Sequence, residues 1–326
     1  MNEQTKLAFI LVSTCALAAC GGGGSGDIAG TGISYTGKTT PAAVTLSNGE
    51  TLATESLAGG KLGTALSATL QSEAPSHSGG SRLLSIYKTL DASVERLDPT
   101  AASRGNVLSA AQVNVKDTVP GTCATNPGNF SYDITVNDVT GDFSGTISFN
   151  GYCDLGETVN GATNFSGKYN QTINDFDSVN LSFTGLQDTT ATDSNTLSGT
   201  LAIDNTKNPL QITMNLLNRD NHTSEVFKAE NFIITDAVAT NGSYEDVAMS
   251  GRFYIPTEGY VDLITLQPLH ILITDDWPSS GKLKVTGEGN ASVTLTALSS
   301  TTYQVEIDSV AGGAPESTTT GNWANL

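Results

Sequence analysis

The stretch Asn129-Phe130-Ser131-Tyr132-Asp133-Ile134-Thr135-Val136-Asn137 alternates polar and apolar side chains without a break. A turn at Thr140-Gly141-Asp142 follows, after which Phe143, Ile147 and Phe149 alternate with Ser144, Thr146 and Ser148. Successive side chains of a strand point to opposite faces, so a period of two gives one apolar face and one Ser/Thr/Asn face. That one-sided pattern belongs to antiparallel sheets, because parallel sheets are buried on both faces. The alternation recurs in Val179, Leu181 and Phe183; in Leu210, Ile212, Met214 and Leu216; and in Val247, Met249, Phe253 and Ile255. It continues through Leu269, Ile271 and Ile273, Leu283 and Val285, Val293 and Leu295, and Tyr303, Val305 and Ile307. Turn signals separate these runs at the short intervals a meander requires, which predicts all-β structure from 129 to 323.

Ser-Gly pairs at 144–145, 166–167, 198–199, 250–251 and 280–281 come shortly before Ile147, Tyr169, Leu201, Phe253 and Leu283. Their uneven spacing argues against a solenoid. Glycine within a strand marks a bend, a bulge or a close approach, so repeated glycines on one long sheet predict strong curvature. Upstream the period changes. Leu83, Leu84, Tyr87, Leu90, Val94 and Leu97 fall at helical spacing within Ser81–Leu97, Lys88, Asp91 and Glu95 face away, and Pro99 ends the run. A second helix is expected through Ser103 to Val113, and a short one about Leu52 to Leu57 in an otherwise low-order Ala/Ser/Gly-rich segment, 41–80. The expected fold is mainly β (α+β): a large curved antiparallel β-meander or half-barrel, with one or two N-terminal helices packed on it and helix 81–97 closing its mouth. A transmembrane barrel also alternates, but it needs aromatic girdles, and aromatics are 6% of this chain.

The formal net charge of −18 excludes nucleic acid as a partner, since phosphate binding needs clustered Lys and Arg. The acidity is read as surface solvation. The three histidines, His77, His222 and His270, have no metal-ligand spacing, and there is no Gly-x-Ser-x-Gly elbow or phosphate-cradling glycine loop. The most distinctive loop is Asp275-Asp276-Trp277-Pro278-Ser279-Ser280-Gly281. Its two carboxylates and Trp277 are either a ligand-contact loop, for a cation or a sugar, or a hairpin whose Trp caps the core. No Asp-x-Asp-x-Asp-Gly pattern supports calcium.

At the N-terminus an apolar run, Leu7 to Ala16, leads into Leu17-Ala18-Ala19-Cys20 and then Gly21-Gly22-Gly23-Gly24-Ser25-Gly26. The run is too short to span a bilayer and suits a signal h-region. Small residues at 18 and 19 also fit an ordinary secretory cleavage site. The tetrad resembles the lipobox of bacterial lipoproteins, with Leu17, Ala18 and Ala19 before the modified Cys20. That resemblance implies that Cys20 is diacylated on sulfur and becomes the first mature residue. It also implies retention in the inner membrane where Asp follows the cysteine. Gly21 stands there, so the expected location is the outer membrane, lipid-anchored.

The corresponding organisation is a signal peptide over 1–19, a lipidated cysteine and Gly-rich tether over 20–40, the segment 41–80, and one β domain over 81–326. With Cys15 removed and Cys20 acylated, Cys123 and Cys153 remain, and a pair in an oxidising compartment predicts a disulfide. Three further segments resemble a family of uncharacterised bacterial lipoproteins. They are Met214-Asn215-Leu216-Leu217 with Arg219-Asp220-Asn221, Gly251-Arg252-Phe253-Tyr254 with Gly259-Tyr260-Val261, and Asp276 to Gly281. The likeness implies an Asp/Gly-rich turn near the C-terminus, where this chain has Asp308-Ser309-Val310-Ala311-Gly312-Gly313. It implies location and architecture and brings no activity.

The functional expectation is a non-enzymatic envelope lipoprotein, with no cofactor or metal beyond the lipid on Cys20, whose curved sheet binds an apolar ligand or an envelope protein. The alternatives are a structural or adhesive surface module that contacts glycan or protein through loops, and a hydrolase with Asp, Glu or His gathered in one cleft. Replacing the acylated sulfur tests the anchor. Cys20→Ser is expected to leave the membrane fraction and to lose labelling by a fatty-acid analogue. Persistent membrane association without label would place the anchor elsewhere.

Overall fold

Phe130 stands opposite Phe149, and Tyr132 opposite Ile147, in an antiparallel hairpin. The structure, a computed structural model, describes residues 32–68, 112–137, 139–154, 156–170, 175–191 and 193–326. The hairpin strands are β2 (Asn129–Asn137) and β3 (Asp142–Asp154), preceded by β1 (Gln112–Pro120). The chain continues as β4 (Glu157–Asn170), β5 (Asp175–Thr189), β6 (Ser194–Asp204), β7 (Leu210–Asp220) and β8 (Val226–Val238). It ends with β9 (Tyr244–Ile255), β10 (Gly259–Leu272), β11 (Ser280–Thr286), β12 (Ser292–Ser299), β13 (Thr302–Asp308) and β14 (Ser317–Asn322). All fourteen form one sheet in chain order, each strand antiparallel to the next. The sheet is not closed: β1 and β14 are its two edges. The curved antiparallel meander expected from the alternation is thus present.

The alternating residues make one core. Phe130, Ile134, Ile147, Leu181, Ile212 and Val305 all lie on the inward face and are buried in a single contiguous cluster. The polar residues between them face outward. This is the reverse of a transmembrane barrel, whose apolar face is turned out.

The Ser-Gly glycines have two distinct tasks. Gly145 lies opposite Phe165 and Gly167 opposite Phe143, and each aromatic ring occupies the space that a Cβ would take. An aromatic neighbour thereby covers the backbone that a strand glycine leaves open. Gly199 and Gly251 instead adopt φ of 123° and 133°, values that a Cβ strains. Each is pressed against the backbone of a neighbouring strand, Gly199 at Asn215 of β7 and Gly251 at Asn231 of β8. Those strands carry register shifts between Met214 and Leu216 and between Glu230 and Ile233. Bulges of this kind bend a strand and increase its twist, as the predicted curvature requires.

The N-terminal part of the described chain wraps the sheet from one face to the other. Ile33 packs with Leu217 and Val226 on the outward side, and the ring of Tyr35 lies 5.3 Å from that of Tyr254. The Lys38 N–H donates to Pro256 O at 3.0 Å. Residues 40–42 then insert at the rim: Tyr260 N donates to Thr40 O, Ala42 N to Tyr260 O, and Glu288 N to Ala42 O, at 2.8–2.9 Å. The strap therefore spans from the start of β10 to the β11–β12 turn and delivers the chain to the inward face. There Asn48 takes the Thr45 N–H on Oδ1 at 2.8 Å and donates through Nδ2 to Glu258. Helix α1 (Gly49–Ala68) starts immediately after it.

Helix α1 lies against β7–β9 and β11–β13, with Leu52, Ala53 and Leu57 buried in the core. The sequence reading placed only a short helix, about Leu52 to Leu57, in this segment. The helix is longer because Gly59 and Gly60 let it approach the sheet, where Phe253 and Met249 fill the space beside them. The predicted helix 81–97 lies outside the described residues. So does the predicted helix 103–113, except for Gln112 and Val113, which open strand β1 rather than closing a helix.

The Cys123–Cys153 disulfide is formed, with Cα atoms 5.5 Å apart across 30 residues of sequence. It ties the β1–β2 loop to the end of β3, where Cys153 N also donates to Pro127 O at 2.9 Å. Closing a loop of this size contributes roughly 3–4 kcal/mol in the chain-entropy model.

Gly59 offers a test of the close helix approach. Helix propensity alone makes Gly59→Val favourable by a few tenths of a kcal/mol. Its side chain would collide with the buried ring of Phe253, and overpacking costs about 1–3 kcal/mol. The variant is therefore expected to have a lower urea midpoint than the parent. An unchanged or higher midpoint would show that α1 does not lie this close to β9.

Candidate functional site

The inward face divides into two parts. α1 and the end of the strap occupy the side made by β7–β13. On the β2–β6 side the face is aromatic. The rings of Phe130, Phe149 and Tyr152 lie 5.1–6.2 Å from one another beside the disulfide, and Phe165 and Phe183 continue the surface. Together the two parts form one buried apolar core crossed by the strands. It offers dispersion and burial, with few directional groups.

Among the described residues, several carboxylates are buried on the inward face. Asp236 is 2% exposed and sits on the inward side of β8, two positions beyond Ile234. Glu245 on β9 is diagonal to it, since Asp236 pairs with Val247 and Val238 with Glu245. Burial, and then the negative charge of Asp236, push the Glu245 carboxyl up to about 8. Glu157 and Asp188 are likewise buried, at the β4–β5 end. On α1, burial followed by the charge of Glu225 raises the Glu55 carboxyl. Ser56 is fully buried in the helix, and its hydroxyl has no hydrogen-bond partner among the described residues.

The outward face beneath the strap carries a paired network. Lys228 Nζ lies 2.7 Å from Glu230 Oε1, and Tyr254 OH donates to Glu230 Oε2 at 2.8 Å. Arg252 donates twice to Asp262, at 2.8 and 2.9 Å, and its guanidinium lies over the Tyr260 ring. The charges are satisfied within the network. It serves as the platform on which Tyr35 rests.

The sequence-predicted loop residues Asp275, Asp276 and Trp277 lie between β10 and β11. The Trp277 ring stacks on Trp323, with centroids 4.9 Å apart and planes 5° from parallel. Trp323 is buried, donates from Nε1 to Ser299 O at 2.9 Å and touches Tyr303. Tyr303 in turn donates to Glu50 at the start of α1. Trp277 thus closes the C-terminal end of the core, the packing role anticipated beside the ligand-contact one. Asp275 lies in the turn, its N–H donating to Leu272 O at 2.8 Å, and Asp276 is exposed. Among the described residues no group of three or more His, Cys, Asp or Glu is placed to hold a metal ion. His270 bonds Asp246 through Nδ1 at 2.8 Å and packs on Tyr244; the backbone N–H of His222 donates to Asp220 Oδ1 in a turn. His77, Leu17, Ala18, Ala19 and Cys20 lie outside the described residues.

The sequence reading missed Asp236 and Glu245. The signal was a carboxylate at the next inward position after Phe232 and Ile234, where the alternation calls for an apolar side chain. A carboxyl raised in the folded state favours the protein while protonated, so its contribution is present below the ordinary value of 4.5 and is lost as pH rises through about 8. Melting temperature measured between pH 5 and pH 8 should fall more steeply for the parent than for Glu245→Gln. Parallel curves would mean that Glu245 is ionised in the folded protein. A scan of protein-family models finds no match to the chain, and neither the curated proteins nor the solved structures give one.

Proposed function

We propose that this chain is an envelope lipoprotein, held to the outer membrane through acylated Cys20, that binds an apolar ligand on the inward face of its curved sheet without catalysing a reaction. The observation that carries the reading is the asymmetry of the inward face: α1 packs on the β7–β13 side, while the β2–β6 side is filled by buried aromatic rings. Apolar burial is non-directional and scales with area, at about 25 cal/mol per Å², so such a surface accepts an acyl chain without needing placed polar groups. A partner protein's apolar segment would use the same surface.

The lipobox resemblance supports the anchor. The strap adds that folded structure begins no later than Ile33, 13 positions after Cys20. On this reading the body stays close to the lipid surface.

Native mass spectrometry of the intact chain, released from membranes in mild detergent, tests the ligand. The expected spectrum contains a species heavier than the acylated polypeptide by the mass of a fatty acid or phospholipid, lost on collisional activation. A spectrum with the acylated polypeptide alone, under conditions that preserve known lipid complexes, would overturn the carrier reading.

A further inference from the structure

The outward face of β1–β3 holds an open depression of about 600 Å³ with mostly polar walls, lined by Lys116, Asp117, Thr118, Ser131, Asp133, Thr146 and Ser148 together with Tyr132. Its volume lies within the range of small-molecule sites. Strand register arranges the lining in two rows. Thr118 stands opposite Ser131, and Ser131 opposite Ser148. Lys116 stands opposite Asp133, and Asp133 opposite Thr146.

The rows differ in how their side chains are engaged. In the second row Asp133 is held on both oxygens, by Lys116 Nζ at 2.6 Å and by Asn114 Nδ2 at 2.8 Å. Thr146 donates to Asn164 at 2.9 Å. In the first row the hydroxyls of Thr118, Ser131 and Ser148 make no side-chain hydrogen bond among the described residues. They sit one strand apart, about 4.8 Å, with a pinned ion pair about 7 Å along the strands.

The chemistry of the lining narrows the occupant. An apolar ligand would meet mostly hydroxyls and charges, with Tyr132 the sole aromatic group in the lining. An anion would meet Asp133 in a chain of net charge −18. A cation would find Asp133 already occupied by an ammonium and an amide. A neutral polyhydroxylated molecule can exchange hydrogen bonds with three hydroxyls that both donate and accept, and then reach the fixed carboxylate. The interval between the hydroxyls is also close to the length of a pyranose ring. We propose that this groove is a binding site for a neutral oligosaccharide, laid across β1–β3 with successive sugars over Thr118, Ser131 and Ser148. It is separate from the inward face, and its use does not depend on an apolar ligand being bound there.

The intact chain, purified in a detergent without sugar head groups, would be titrated with tetraacetylchitotetraose, cellotetraose and maltotetraose by saturation-transfer NMR and calorimetry. Saturable binding of at least one, in the high-micromolar to millimolar range expected of an open polar site, supports the site. It should weaken at least tenfold in Thr118→Val/Ser131→Ala/Ser148→Ala, which deletes three outward hydroxyls. Asp133→Asn, a single change that keeps the shape, should also weaken it and provides the reading if the triple variant melts early. Thr294→Val on β12, outside the groove, should leave it unchanged. No saturable binding of any of the three sugars, or equal affinity in the folded groove variants, would overturn the proposal.

Discussion

The constraint on which this structure depends is that one open sheet of fourteen strands has a whole face of apolar side chains to keep from water. A barrel closes that face on itself and a sandwich covers it with a second sheet. Here curvature is used, together with a helix brought in by the N-terminal strap. Fully burying each Phe, Leu or Ile of the inward face is worth about 1.5–3 kcal/mol, so this core supplies the dominant stabilising term. Register follows from the same cause. A slip of one residue in any strand would turn its inward set into solvent and its serines into the core. The register shifts beside Gly199, between Phe183 and Leu186, and opposite Gly251, between Glu230 and Ile233, bend the sheet while the alternation resumes beyond them.

The strap has a second consequence. Ile33 and Tyr35 belong to the outward surface, Pro41 bridges to Tyr260 at the rim, and Leu52 is in the core, so about twenty residues tie three regions together. α1 does not stand alone as an amphipathic helix. Its position comes from the Asn48 bonds before it, from Glu50 accepting the Tyr303 hydroxyl, and from the close glycine contact at Phe253. Such a helix needs small residues where the sheet is near. The same glycines and alanines lower intrinsic helix stability and blur the apolar stripe.

These features explain which parts were legible in the sequence. Period-two alternation reports directly on a face that is dry on one side, so β2, β3, β7, β9 and β13 could be read from it. β1 was harder: Asp117 falls on the inward side between Val115 and Val119, breaking the pattern at an edge strand. β14, Ser317–Asn322, carries no large apolar residue at all; pairing with β13 determines it. α1 was underestimated because its stabilising contacts are long-range. The disulfide was legible because, with Cys15 and Cys20 assigned to the expected signal and lipid site, Cys123 and Cys153 were left as a pair. The loop at Trp277 was recognisable as distinctive, but its partner Trp323 lies 46 positions further on, and no local pattern links the two rings. Asp236 and Glu245 were visible as breaks in alternation, although their mutual placement needed the β8–β9 register.

The outward face follows from the charge of the chain. Like charges directly opposite on neighbouring strands are destabilising, and this sequence has 33 acidic residues against 15 Lys and Arg. One row across β1–β7 runs Lys116, Asp133, Thr146, Asn164, Ser182, Thr200 and Asn215: a single opposite-charge pair and then neutral hydroxyls and amides. A wide sheet can be wetted this way without stacking carboxylates on carboxylates. The same device protects the two open edges. β1 places Lys116 and Asp117 in its middle, and β14 is only six residues long. Charged or short edge strands resist pairing with another chain. A sheet that solves burial by curving rather than closing needs both measures, because its edges stay available for pairing as long as it remains open.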